Sequence, residues 1–311
     1  MMETMASRPV PATIRSVVAH DLGHLIRVAR QLHVGLRGDE TTHGLTPAQF
    51  AVLLALSRMP GADQGKVAAI SALDKSSVSE IVRRLVARGY IEARPDPSDG
   101  RKQSLHATGE AVKLVTSYGR SLQRADAEFL APLSLVEQTW LLTQMRLIAF
   151  SRRPDMSLHT PSEVPDGLSI AETNWAMGRL IRIALQTYNA AWTAQVGSVV
   201  SPVGSALLRV LVEAAPADQR SLGEALSLDK ASMAGLVARL SEQRYVESSV
   251  DPGDRRRKIV RATSKGTDIA RLVAPARTRV NEDVLEPIEP HNREPFLALL
   301  CRVTIERPGP A

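Results

Sequence analysis

Two short stretches set acids ahead of bases in the same order: Asp-Pro-Ser-Asp-Gly-Arg-Lys at 96–102 and Asp-Pro-Gly-Asp-Arg-Arg-Arg at 251–257. Proline, aspartate and glycine form turns, and a guanidinium offers a planar fork to phosphate or carboxylate oxygens. Ahead of each turn stands a run that opens Leu-Asp-Lys, at 73–75 and at 228–230. It carries Ser76, Ser77, Ser79 and Arg83 in one case and Ser232 and Arg239 in the other. Hydroxyls near a helix start serve phosphates or base edges, and arginine reaches either. The chemistry on offer is recognition of a polyanion by charge and hydrogen bonding.

A second constellation is His20, His24, Arg27 and Gln31, at spacings of four, three and four, echoed by Trp175, Arg179, Arg182 and Gln186. Such a polar stripe could receive a small anion or an aromatic ring if it lined a cleft. The plainer alternative, which we favour, is polar flanks of pairing helices with their arginines bonded to helix ends. His20 and His24 have the spacing of a metal pair, but no third ligand is evident, so no metal and no cofactor is expected. The single cysteine, Cys301, sits among Leu299, Leu300 and Val303, which predicts a buried, inert thiol. No P-loop, Gly-x-Ser-x-Gly or zinc-protease motif is present, so an enzyme is not expected.

The formal charge is +6 and the pI about 9.8, a bias that suits a polyanionic partner. Arginine outnumbers lysine 32 to 7. One cysteine excludes an intramolecular disulfide. With no long apolar run and no export-like N-terminus, the expectation is a soluble cytoplasmic protein without a membrane partner.

The elements that must carry these residues come in two copies. Laying the second turn on the first needs an offset of 251 − 96 = 155, and that offset holds without gaps elsewhere. Pro47 falls on Pro202, Leu85 on Leu240, Tyr90 on Tyr245 and Thr108 on Thr263. Between Ser71–Glu110 and Leu226–Lys265, 15 of 40 positions are identical, so the chain is a duplicated domain. The expected boundaries are 1–150 and 169–311, with a proline-containing linker at 151–168. In each copy an apolar stripe (Ile14, Val18, Leu22, Leu25, Ala29, Leu32, Leu36 in the first) predicts a long early helix. A helix after Pro47 follows, then a short one at Val67–Ala72, then one capped by Asp74 with Val78, Ile81, Val82 and Leu85 inward. Period-two patterning over Tyr90–Arg94 and Gln103–Ala107 predicts a hairpin, and helices about Thr108–Leu130 and Leu135–Arg152 close the copy. The expected fold is mainly α with small β-hairpin wings: two winged helix-turn-helix domains joined through a helical pairing region.

The runs beginning at Leu73 and Leu228, with their turns and the following Thr108 and Thr263, resemble the recognition helix and wing of the MarR family of bacterial transcription regulators. Phe129 to Gln138 is similar to that family's passage between its last two helices. The resemblance covers nearly all of the chain outside the linker and tails. It implies a repressor that binds near-palindromic double-stranded DNA and is released by a small aromatic or anionic ligand. Here both halves of the usual homodimer stand in one chain, a monomer acting as a pseudo-dimer. By the resemblance, Asp99 pairs with Arg101 and Asp254 with Arg256, each arginine entering a minor groove, with Lys102, Arg255 and Arg257 adding charge. Lys75, Ser76, Ser77, Ser79 and Arg83 would read or clamp DNA in the first copy, and Lys230, Ser232 and Arg239 in the second. The copies differ outwardly: Ser76, Ser79, Glu80 and Arg83 become Ala231, Ala234, Gly235 and Ala238. Alanine touches a thymine methyl but makes no bidentate hydrogen bonds. The first copy is thus expected to discriminate bases and the second to anchor phosphates. The stripped second helix also suits a different reading, a ligand- or protein-binding module that kept the fold and lost specific DNA binding.

Overall fold

The computed structural model describes residues 16–19, 21–36, 45–71, 73–95, 103–151, 176–214, 216–254 and 257–307. In chain order the elements are α1 (Leu22–Leu36), α2 (Pro47–Arg58), α3 (Gln64–Ser71), α4 (Lys75–Ala87), β1 (Ile91–Pro95), β2 (Gln103–Ala107), α5 (Gly109–Leu130) and α6 (Leu135–Phe150). The second copy repeats them as α7 (Ala176–Val196), α8 (Pro202–Glu213), β3 (Ala217–Asp218), α9 (Gln219–Ala225), α10 (Lys230–Glu242), β4 (Val246–Val250), β5 (Lys258–Ala262), α11 (Ser264–Leu285) and α12 (Pro290–Thr304). Helix, turn, helix and hairpin recur as the pattern predicts, and the fold is that of two winged-helix lobes flanked by long helices.

Side-chain caps explain where the helices begin. Thr46 and Gln49 exchange bonds in a capping box at the head of α2, Gln49 N donating to Thr46 Oγ1 at 3.2 Å and Thr46 N to Gln49 Oε1 at 2.8 Å. Asp74, Asp218 and Asp229 cap α4, α9 and α10. The long early helix is shorter than its apolar stripe. It starts at Leu22 because the Asp21 carboxylate accepts His24 N at 3.0 Å, and residues 16–18 form a separate helical turn. Ile14 lies outside the described residues, as does the expected linker beyond Ser151.

The hairpins share one register: Ile91 pairs with Ala107 and Pro95 with Gln103, and Val246 pairs with Ala262 and Val250 with Lys258. They differ in a third strand. β3 pairs with β5 through Ala217–Val260 and Asp218–Ile259, whereas the first copy makes a single bridge, Ala62–Leu105. The period-two pattern did not reveal this two-residue strand, which is too short to show alternation.

Two compact units divide the described residues. The N-lobe unit is drawn from Gln31–Ala131 and Met145–Ile183, and the C-lobe unit from Met1–Arg30, Pro132–Gln144 and Ala184–Ala311. The units therefore cut across the sequence repeat, and α1, α6 and α7 each give one segment to each. In the N-lobe unit Phe50, Leu53, Leu56, Val67, Val78, Leu85, Ile91 and Leu105 form the buried core. In the C-lobe unit Leu207, Leu208, Leu222, Met233, Leu236, Leu240, Val246 and Val260 are buried likewise.

Each unit joins the two copies by placing a ring over a glycine. In the C-lobe unit a Cβ on Gly23 would collide with the ring of Tyr188; in the N-lobe unit a Cβ on Gly178 would collide with that of His33. Both pairs obey the repeat, since 23 + 155 = 178 and 33 + 155 = 188. Tyr188 is 1% exposed and stacks on Trp192 with centroids 6.3 Å apart, so its ring has no room to yield. His33 Nε2 lies 2.5 Å from the Asp126 carboxylate, both buried, with Phe129 edge-on to the imidazole at 6.1 Å. Burial raises the Asp126 carboxyl above the usual carboxylate range, against the pull of His33.

Gly23→Ala should therefore cost about 1–3 kcal/mol of stability through overpacking, read as a lower midpoint of urea unfolding. In a Tyr188→Ala background the same substitution should cost little. Equal costs in both backgrounds would show that the ring does not crowd Gly23.

Candidate nucleic-acid interface

Helix α4 owes its orientation to its apolar side. Val78, Val82 and Leu85 are buried and Ile81 packs partly against the same core. The opposite face carries the expected residues, with Lys75, Ser76, Ser79 and Arg83 exposed and Ser77 and Glu80 half-buried. The structure gives several of them local partners. Ser76 Oγ donates to Asp74 Oδ1 at 2.5 Å, and Ser77 donates to the same carboxylate through its N–H at 2.8 Å and its hydroxyl at 2.6 Å. The Ser76 and Ser77 hydroxyl bonds, followed by that from Ser77 N, hold the Asp74 carboxyl below the usual carboxylate range. Glu80 accepts from Arg83 and, at 2.7 Å, from Arg84 Nε. Arg83 keeps 76% of its side chain exposed, so this pair is a weak surface interaction that a phosphate or guanine can replace.

Helix α10 repeats the frame without the polar face. Asp229 accepts from Ser232 N at 2.8 Å and from its hydroxyl at 2.7 Å. Met233, Leu236, Val237 and Leu240 are buried. Outward stand exposed Ala231, Ala234 and Ala238 with half-buried Gly235, flanked by exposed Lys230, Ser232 and Arg239. Of the wing residues, Asp99, Arg101, Lys102, Arg255 and Arg256 lie outside the described residues; Asp254 and Arg257 lie within them. Arg257 sits between two carboxylates, 3.1 Å from Asp218 and 3.3 Å from Asp251, an arrangement the sequence pattern does not disclose. Asp251 stands in the same turn, but Asp218 is 39 residues away along the chain and gives no local signal.

The polar stripes serve helix ends. Arg27 donates to the carbonyls of Leu226 and, at 3.4 Å, Ser227, at the C-terminus of α9. Its equivalent Arg182 donates to Ser71 O at 2.9 Å, and Arg179 to Ile70 O at 2.9 Å, at the C-terminus of α3. Cations there satisfy orphan carbonyls and oppose the helix dipole. Because α3 and α9 lead directly into α4 and α10, these bonds steady the lead-in to both outward faces. Arg179 also lies over Phe150, 5.7 Å from the ring centroid. Burial lowers Arg27 to about 10. Gln31 is exposed, and His20 and Trp175 lie outside the described residues. Among the described residues no group of three His, Cys, Asp or Glu side chains could hold a metal ion, and no helix is long and apolar enough to cross a membrane. Cys301 is buried, its thiol pushed up to about 11, chiefly by burial.

His24, by contrast, is 4% exposed, with Nδ1 3.0 Å from Arg27 Nη2. Desolvation, then Arg27 and Arg209, lowers it from 6.5 to about 3. The unfolded chain takes up this proton near pH 6.5 and the folded chain does not, so the stability that neutral His24 contributes is whole above 6.5 and drains as pH falls towards 3. Wild type should lose about 2 kcal/mol more than His24→Gln between pH 7 and pH 5, measured by urea unfolding at each pH. Parallel losses would show that His24 does not carry the dependence.

The sequence profile of the MarR family matches the chain twice, over residues 43–102 and 200–257, each span reaching from the head of α2 or α8 to the wing turn. A Thauera aromatica protein described as a transcriptional regulatory protein for the hcr operon is 31% identical over 102 residues; the match covers 33% of this chain and 61% of that protein, less than two thirds of its length. The HTH-type transcriptional repressor NicR of Pseudomonas putida is 29% identical over 145 residues, covering 46% of this chain and 92% of NicR. Among solved structures, the PcaV transcriptional regulator of Streptomyces coelicolor in complex with its natural ligand is 30% identical with a TM-score of 0.40, covering 40% of this chain and 89% of PcaV. Two profile matches set 200 − 43 = 157 residues apart agree with the 155-residue repeat, and each half of the chain carries a sequence unit that matches the MarR family.

Proposed function

We propose that the chain is a DNA-binding transcription repressor that engages one duplex with both lobes, a single-chain pseudo-dimer on an imperfectly palindromic operator. The observation that carries this reading is the exposed face of α4, polar and basic, set by a buried apolar side and followed by the β1–β2 hairpin. The lobes divide the work. Ser79 and Arg83 of the first discriminate bases, with Lys75, Ser76 and Ser77 clamping the DNA backbone. The second anchors phosphates and the minor groove through Lys230, Ser232, Arg239, Arg255 and Arg256, Asp254 holding Arg256, while its alanines touch no more than methyl groups. In the first wing Asp99 orients Arg101, and Lys102 adds charge. A small anionic or aromatic compound releases the DNA by competing with helix-end carbonyls for Arg27, Arg179 or Arg182; His20, His24, Gln31 and Trp175 lie on the same stripes.

Fluorescence anisotropy with a duplex from the chain's own upstream region tests the reading. Binding is expected at low ionic strength with one chain per duplex. Failure to bind any duplex there would leave the alternative, a ligand- or protein-binding module. Arg83→Ala should relax sequence preference by about 1–3 kcal/mol at one position. Arg256→Ala should weaken all duplexes alike and reduce the salt slope by about 1. Equal loss of specificity from both substitutions would overturn the division of labour.

A further inference from the structure

The second wing ends in three consecutive arginines, Arg255, Arg256 and Arg257, and charge alone would assign all three to DNA. We infer that Arg257 is instead a positioning residue, a clamp that fixes the wing to the head of α9; the inference rests on the DNA-binding reading above. Its backbone closes the turn, Arg257 N donating to Asp254 O at 2.9 Å and Asp251 N donating to Arg257 O at 2.9 Å. Its guanidinium then spans two carboxylates, Nη1 lying 3.3 Å from Asp251 Oδ2 at the mouth of the turn and Nη2 3.1 Å from Asp218 Oδ2.

Asp218 is the junction. It ends β3, pairs through its backbone with Ile259 of β5, and caps α9, accepting from Ser221 N at 3.0 Å and Ser221 Oγ at 2.8 Å. The side chains of Asp218 and Asp251 are only 18% and 21% exposed, so the two charge pairs are shielded from salt more than an open surface pair is. One guanidinium thus links the wing turn, the third strand and the first helix of the helix-turn-helix. The equivalents in the first copy are Asp63, Asp96 and Lys102. Both acids are kept there, but an ammonium lacks the planar fork that holds two carboxylates at set angles. In that copy the third strand also shrinks to the single Ala62–Leu105 bridge. The clamp belongs to the lobe whose recognition helix has lost its polar readers, and it presents that lobe's remaining DNA-facing groups from a fixed hairpin.

The test is the salt dependence of affinity, measured with the full chain on a fluorescein-labelled upstream duplex and on a random-sequence duplex of equal length. If the guanidinium at position 257 neutralised a phosphate, removing it would reduce the slope by about 1. The clamp predicts that Arg257→Ala weakens binding several-fold with the slope unchanged. It also predicts that Asp218→Asn, which removes a negative charge yet keeps a helix-capping side chain, weakens binding to a similar extent. The double variant should be no weaker than either single one. A shallower slope for Arg257→Ala together with tighter binding by Asp218→Asn would make Arg257 a DNA-binding residue and end the proposal. If wild type binds neither duplex, the DNA reading fails by itself. The clamp is then judged by hydrogen exchange at the Asp251 and Arg257 amides, which should speed up in Asp218→Asn and would overturn it if unchanged.

Discussion

A buried ring standing where a methyl group would otherwise be is the constraint on which this architecture rests. At Gly23 and Gly178 the absent side chain lets a helix from one copy lie against a large side chain from the other, Tyr188 in one unit and His33 in the other. Because the interior is close-packed, such a site admits little adjustment. Each compact unit therefore contains segments of both copies, and neither repeat owns a whole unit. The arginines that cap α9 and α3 follow the same logic: Arg27 of the first copy serves the second, and Arg179 and Arg182 of the second serve the first.

The duplication kept the scaffold and released the surface. Both recognition helices start on an aspartate bonded to a serine, both hairpins share one register, and both first helices carry the glycine. Buried polar positions were allowed to differ. The His33–Asp126 pair of the N-lobe unit has Tyr188 and Asn281 at the equivalent positions, and Asn281 Oδ1 is buried without a hydrogen-bond partner among the described residues. A neutral amide without a partner costs far less than an unpaired carboxylate in the same place, so the loss of the histidine and the loss of the aspartate fit together.

Much of this was legible in the sequence, because period and caps are local. The inner face of α4, the Asp74 cap and the hairpins follow from spacing within a few residues, and the doubled fold from the gapless 155-residue offset. The plainer reading of the arginine stripes, bonds to helix ends, is what the structure shows for Arg27, Arg179 and Arg182. What escaped depends on partners far apart in the chain. Arg257 and Asp218 are separated by 39 residues and Arg27 and Leu226 by 199, and no periodicity announces either. The same holds for Gly23 and Gly178, which look like helix-weakening residues until the ring above each is known. The apolar stripe overstates the early helix because it does not register the backbone break at Asp21.

Symmetric dimers of identical chains carry every substitution twice, on both faces of a self-complementary assembly. A covalent duplication lifts that restriction. The bare, alanine-lined exterior of α10 and the hydroxyl-rich exterior of α4 can coexist because each is encoded separately, so mutation can tune one half without disturbing its twin. The tandem gene thereby frees a scaffold otherwise held to two-fold symmetry to become lopsided.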